Sequence, residues 1–140
     1  MDVKIVVSED ELIKIAPVLL QLRPEYDAES LIVQIKKQFR NGFQIAYVEN
    51  EGRVVCVAGY VFCEKRAWGK SIYIDDLVTD ENFRSNGAGK TMIDWFKQYA
   101  KAHGHSQIHL DSRNIRVDAH RFYVREGFSK ESFHFALVDF

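Results

Sequence analysis

The sequence predicts an α/β protein of the α+β type: a mixed, mainly antiparallel central sheet flanked by about four helices. Three observations predict it. Apolar residues recur with period two in some stretches and with helical spacing in others. The stretches run in the order β-α-α-β-β-β-α-β-α-β(β), and Glu49-Asn50-Glu51-Gly52 gives a hairpin signal in the middle. A doubly wound nucleotide-binding sheet would alternate strand and helix throughout, and this chain does not.

Each element has a local cause. Val3–Val7 reads as a first strand, and Ser8-x-x-Glu11 then has capping-box form. The helix it opens carries Leu12, Ile15, Ala16, Leu19 and Leu20 on one face; Pro17 should kink it or mark its true start, and Arg23-Pro24 ends it. Asp27–Phe39 is a second helix with Leu31, Ile35 and Phe39 in line, stopped by Asn41-Gly42. Phe43–Val48 and Arg53–Phe62 are strands either side of the hairpin turn, and a polar loop, Glu64–Gly69, leads into the strand Lys70–Thr79. Ala88–Ala102 is helical, with Ala88, Met92, Phe96 and Tyr99 as a stripe and His103-Gly104 as its stop. Gln107–Asp111 is a short strand. Ile115–Glu126 is a helix burying Ile115, Ala119 and Phe122 and closed by Gly127, and Phe128–Phe140 alternates loosely enough for one or two strands.

The 140 residues are expected to form one domain, residues 1–140, long enough to bury roughly 68–70% of the unfolded surface. With 46% apolar and 28% charged residues the composition is that of an ordinary globular protein. A formal net charge of −1 argues against general nucleic-acid binding. No apolar run approaches the roughly 20 residues of a membrane span, and the N-terminus lacks the apolar core of a signal peptide. Cys56 and Cys63 lack metal or redox spacing and read as buried thiols, which with the other features implies a cytoplasmic protein.

The most informative segment lies between the strand ending at Thr79 and the helix starting at Ala88. It carries Arg84-x-x-Gly87-x-Gly89-Lys90. A loop opening a helix leaves backbone N–H groups unpaired, and the helix dipole adds partial positive charge, which suits a phosphate or pyrophosphate. Taken alone, the pattern is equally a glycine-rich turn. Gly89-Lys90-Thr91 imitates the end of a P-loop, but Arg84 stands where that motif needs its first glycine.

Ala119-His120-Arg121-Phe122-Tyr123-Val124-Arg125-Glu126-Gly127-Phe128 is the second distinctive segment. With Val78…Arg84-Ser85-Asn86-Gly87-Ala88-Gly89-Lys90 upstream and the same element order, the chain resembles the GNAT superfamily of acetyl-CoA-dependent N-acetyltransferases. Both family signatures are present, R-x-x-G-x-G after the fourth strand and A-x-x-F-Y-x-x-x-G-F after the fifth. The resemblance implies acetyl-CoA as co-substrate and no metal. It places the pyrophosphate on the main-chain N–H groups of Ser85, Asn86, Gly87, Ala88, Gly89 and Lys90, beside Arg84. It also lays the pantetheine arm along the backbone of Leu77 and Val78, an edge the family opens with a bulge. Many members carry an asparagine seven residues before the tyrosine. Here that position is Arg116, the nearest asparagine is Asn114, and Asp111-Ser112-Arg113 fits a serine-bearing variant of the family better.

Acetyl transfer needs a neutral amine, a polarised thioester and a protonated leaving thiolate. Tyr123 is the candidate acid for the last: a phenol with pKa near 10 can donate at neutral pH. From the residue alone a packed ring is the plainer reading, and the motif around it favours the acid. Backbone N–H groups near Leu77 or Val78 could polarise the carbonyl. Asp75 and Asp76 end an apolar strand, where a carboxylate could take the ammonium proton through water or steer a cationic substrate. Successive strand residues face opposite sides, so only one of the pair should look into a given cleft.

His103-x-His105-x-x-x-His109 spans a helix stop and a strand and is not expected to hold a metal. The acidic Glu25, Tyr26, Asp27, Glu29 stretch reads most plainly as a solvated interhelix loop and otherwise favours a cationic amine, small or peptide, as acceptor; the sequence leaves the oligomeric state open, a homodimer being frequent in the resembled family. The expected function is therefore direct ternary-complex transfer of acetyl to a primary amine. A non-catalytic acyl-CoA-binding or regulatory module on the same fold is the rival.

Overall fold

A computed structural model describes residues 1–140. The chain divides into two compact units, Met1–His109 and Leu110–Phe140. The first holds β1 (Asp2–Ile5), α1 (Glu9–Leu22), α2 (Ala28–Phe39), β2 (Gln44–Asn50), β3 (Arg53–Lys65), β4 (Gly69–Thr79), a 3-10 turn (Glu81–Phe83), α3 (Ala88–Ala102) and nearly all of β5 (Gln107–Leu110). The strands form one sheet in chain order, β1-β2-β3-β4-β5. The pairs β1–β2, β2–β3 and β3–β4 are antiparallel.

Helix ends follow the local chemistry. Ser8 Oγ accepts the Glu11 N–H at 3.3 Å, and Glu11 reaches back to the Val7 N–H at 3.0 Å. Asp27 caps α2 in a reciprocal box with Ser30. Pro17 lies inside α1, so the helix starts at Glu9 and not at the proline. It is tolerated because both Pro17 and Ile13, whose carbonyl loses its N–H partner, sit on the exposed side, where water can replace the missing bond.

On one face of the sheet, Leu12, Ile15, Leu19, Leu31 and Ile35 of α1 and α2 pack with Ile45, Tyr47 and Val57 of β2 and β3. Elsewhere in this unit, Tyr60 of β3 meets Phe96 of α3 edge-on, with centroids 5.1 Å apart, and both are fully buried. Each such side chain contributes about 1.5–3 kcal/mol on leaving water. The polar loop expected at Glu64–Gly69 shortens to a turn, because Lys65 already pairs with Gly69 and the hairpin strands run longer than their apolar pattern.

The second unit contains the last residue of β5, then α4 (Val117–Arg125), and no further strand. The expected helix start at Ile115 is corrected: α4 begins two residues later, and Ile115 is exposed. The strands expected in Phe128–Phe140 do not form either. A strand needs a neighbour for its N–H and C=O groups, and this segment pairs with none, leaving Phe133, Phe135 and Phe140 at least 90% exposed. No helix is long and apolar enough to cross a membrane.

Candidate active site

The loop after β4 is tied down at its start. Asp80 N–H donates to Val55 O at 2.9 Å. Its carboxylate accepts from Asn82 N–H at 3.1 Å and from Gln21 Nε2 at 3.2 Å, and the first of these bonds chiefly lowers its pKa. Asn86 closes the turn by donating to the Phe83 and Arg84 carbonyls at 3.2 and 3.1 Å. Ser85 and Gly87 then take left-handed backbone, φ 64° and 85°, and Gly87 is the N-cap of α3. That helix has no side-chain cap. Its first-turn N–H groups, those of Ala88, Gly89 and Lys90 with the loop before them, head the 15-residue α3 and its dipole. This geometry suits the phosphate role expected of Ser85–Lys90.

Leu77 and Val78 pair with Ala58 and Val57 on the β3 side. On the other side, β5 has four residues against eleven in β4, and Ser106 N–H donates to Lys70 O at 3.1 Å, which sets β5 beside the start of β4. From there β5 is too short to reach Leu77. The bulge that the sequence does not reveal is present. Gly59 pairs with Asp76 and Tyr60 with Ile74, so Asp75 is an extra residue in β4.

The bulge inserts one residue into the alternation, and both Asp75 and Asp76 line a single cavity of about 210 Å³, Asp75 exposed and bonded there through its carbonyl. Arg23 and Glu25, at and beyond the end of α1, share it, with Leu19, Ile35 and Phe39 among its apolar lining. Arg23 Nη2 lies 2.5 Å and Nε 2.7 Å from Asp76 Oδ1, and Nη2 also donates to the Asp75 carbonyl at 3.3 Å. Burial raises the Asp76 pKa, and the attraction of Arg23 offsets this only in part. Arg23 was legible in the sequence merely as a helix end. The hint for Asp76 was Gly59, a glycine inside an apolar strand, which marks a close approach.

In the second unit Tyr123 is the buried residue of α4, where the sequence pattern had assigned burial to Phe122. Its ring lies edge-on between Phe122 and Phe128, with centroids at 5.5 and 5.7 Å. The Phe128 N–H donates to its carbonyl at 3.0 Å. Asn114 is exposed, whereas Ser112 Oγ is buried with no hydrogen-bond partner. Of the histidines, His109 stacks on Trp68 at 3.5 Å, and the His103 and His105 rings bond to backbone carbonyls.

Residues 12–128 match the model of the Acetyltransferase (GNAT) family. The chain belongs to that family. The GNAT protein is similar to an uncharacterized N-acetyltransferase, YhdJ, of Bacillus subtilis (strain 168), 34% identical over 133 residues covering 91% of this chain and 92% of the other. It is also similar to glucosamine 6-phosphate N-acetyltransferase 1 of Dictyostelium discoideum, 29% identical over 107 residues, 74% of this chain and 66% of the other. Its fold matches a crystal structure described as a transcriptional regulator from Bacillus halodurans C-125, with TM-score 0.82 at 22% identity over 97% of this chain and 99% of that one. As a GNAT member the protein is an acetyl-CoA-dependent N-acetyltransferase.

Proposed function

We propose that residues 1–140 act as one acetyltransferase domain in the cytoplasm, passing acetyl directly from acetyl-CoA to a primary amine in a ternary complex. The acceptor is a cationic amine, small or on a peptide. One observation carries the choice of acceptor: three acidic residues, Glu25, Asp75 and Asp76, against one basic residue, Arg23, line the cavity where β4 bulges, and the charges of Asp75 and Glu25 act on Asp76. Such a site attracts an ammonium group and disfavours an anion.

Bound acetyl-CoA supplies an acetyl thioester. The uncapped turn at Ser85–Lys90, with Arg84 beside it, holds its pyrophosphate, and the backbone of Leu77 and Val78 holds its arm and polarises the carbonyl. Ser112 Oγ, buried without a partner, suits a contact to the cofactor better than exposed Asn114. Asp76, with Asp75, takes one proton from the ammonium, directly or through water, and passes it to solvent. The neutral nitrogen then bonds the acetyl carbon as the C–S bond breaks. Tyr123 gives its phenolic proton to the departing thiolate and recovers one from the nitrogen by way of solvent. Direct transfer is supported by the cysteines: Cys56 is fully buried with its thiol pushed up to about 12 by burial, and Cys63, expected to be buried as well, is half-buried but lies against Ser71 Oγ at 3.2 Å and outside the cavity at the β4 bulge.

The test is a panel of amines with thiol release as the signal: a polyamine, an aminoglycoside, an amino acid, a peptide N-terminus, and glucosamine 6-phosphate after the Dictyostelium relative's name. The cationic amines should give the highest kcat/KM. A clear preference for the phosphorylated sugar would overturn the acceptor reading.

A further inference from the structure

We infer that Arg23 is the positioning residue for Asp76: it grips one carboxylate oxygen so that the other is presented to the acceptor amine across Gly59. This rests on the reading of Asp76 given above. Both guanidinium contacts, from Nη2 at 2.5 Å and Nε at 2.7 Å, go to the same atom, Oδ1. A fork on one oxygen fixes the plane of the carboxylate and leaves Oδ2 out of the pair. Oδ2 lies over β3, where a Cβ built on Gly59 would come within 2.9 Å of it. Arginine on one side and the missing side chain on the other thus hold a carboxylate that strand geometry alone would leave to rotate.

The charged groups around Asp76 are few. From the end of α1 come Arg23 and Glu25, and from β4 comes Asp75. The parts of α2, β2 and β3 that line the cavity contribute only uncharged groups, Gln34, Gln38, Gln44 and Gly59 among them. Arg23 is therefore the sole cation opposing two anions and burial, all of which push Asp76 toward its protonated form. An Asp76 protonated in the working range could not take a proton from the acceptor.

The experiment is the pH dependence of kcat/KM with the fastest amine of the panel, for the wild type, R23Q, R23K, D76N and G59A. D76N should remove the acid limb. R23Q should move that limb up by about one to three pH units, because removing a cation within contact distance raises a carboxylate pKa by that much. R23K should return it most of the way. G59A changes no charge, so it should leave the limb in place while lowering the plateau tenfold or more. Calorimetric binding of acetyl-CoA and circular dichroism melting show which variants fold, and if R23Q does not, R23K and G59A decide. A D76N enzyme without the limb beside an R23Q profile superimposed on the wild type would overturn the role of Arg23 alone. With R23Q unfolded, a G59A enzyme of unchanged plateau would do the same. A limb that survives in D76N would overturn the base reading beneath it as well.

Discussion

Gly87 holds the phosphate turn in a backbone state that side chains resist. At φ 85° an L-residue brings its Cβ against its own carbonyl, at a cost of about 1–2 kcal/mol. The space itself is free, since a Cβ there would meet only Met1 Cε at 3.7 Å. Gly87→Ala should therefore fold with a slightly lower Tm and bind acetyl-CoA tenfold or more weakly, as the first-turn N–H groups tilt away; calorimetry would read this, and unchanged affinity would separate the turn from the cofactor. Tyr123 is a different kind of residue. It is buried between two rings, so removing its hydroxyl leaves the packing in place. Tyr123→Phe should keep acetyl-CoA affinity while kcat falls by roughly 10²–10⁴. A variant that turned over at the wild-type rate would leave Tyr123 a packing residue only.

Elements were legible wherever their signal was local. The cap of α1 needs only Ser8 and Glu11, and α3 was bounded at both ends by its glycines, whereas Asp27, expected as the first residue of α2, is its N-cap in a box with Ser30. Ser8→Ala should accordingly cost about 0.5–2 kcal/mol of global stability, measurable by denaturant titration, since it frees the Glu11 N–H. The β4 bulge was not legible. It is a relation between β3 and β4, and period two within Lys70–Thr79 gives no warning that Asp75 is an inserted residue. For the same reason nothing in the sequence showed that Asp75 and Asp76 line one cavity. The Arg23–Asp76 pair joins residues 53 apart, and no spacing rule reaches that far. The loose alternation after Phe128 failed in the opposite sense, because a strand pattern without a partner strand makes no strand.

At the scale of the whole molecule, the two signature segments and the element order were enough to foresee the family and its sheet, while the charges that tie separate elements together became visible only in the fold. Glu49 of β2 is the clearest of these: it pairs with Lys4 of β1 at 2.8 Å and with Lys14 of α1, and Glu11 of α1 accepts the Tyr47 hydroxyl of β2 at 2.6 Å. The bonds from Lys14 and Lys4 lower the Glu49 pKa from 4.5 to about 2, and Tyr47 leads the causes that lower that of Glu11. A carboxylate with a depressed folded pKa adds stability that is fully present above its unfolded value and is lost as pH falls through the folded one. The window for Glu49 thus runs from about 4.5 down to about 2. In denaturant titrations at a series of pH values, Glu49→Gln should be less stable than the wild type at pH 7, and the gap should close across that window. Added salt should narrow the gap at pH 7, since both lysines are solvent-exposed. A gap that stayed constant from pH 7 to pH 2 would mean that the loss comes from packing at β2 and not from the charge that links it to β1 and α1.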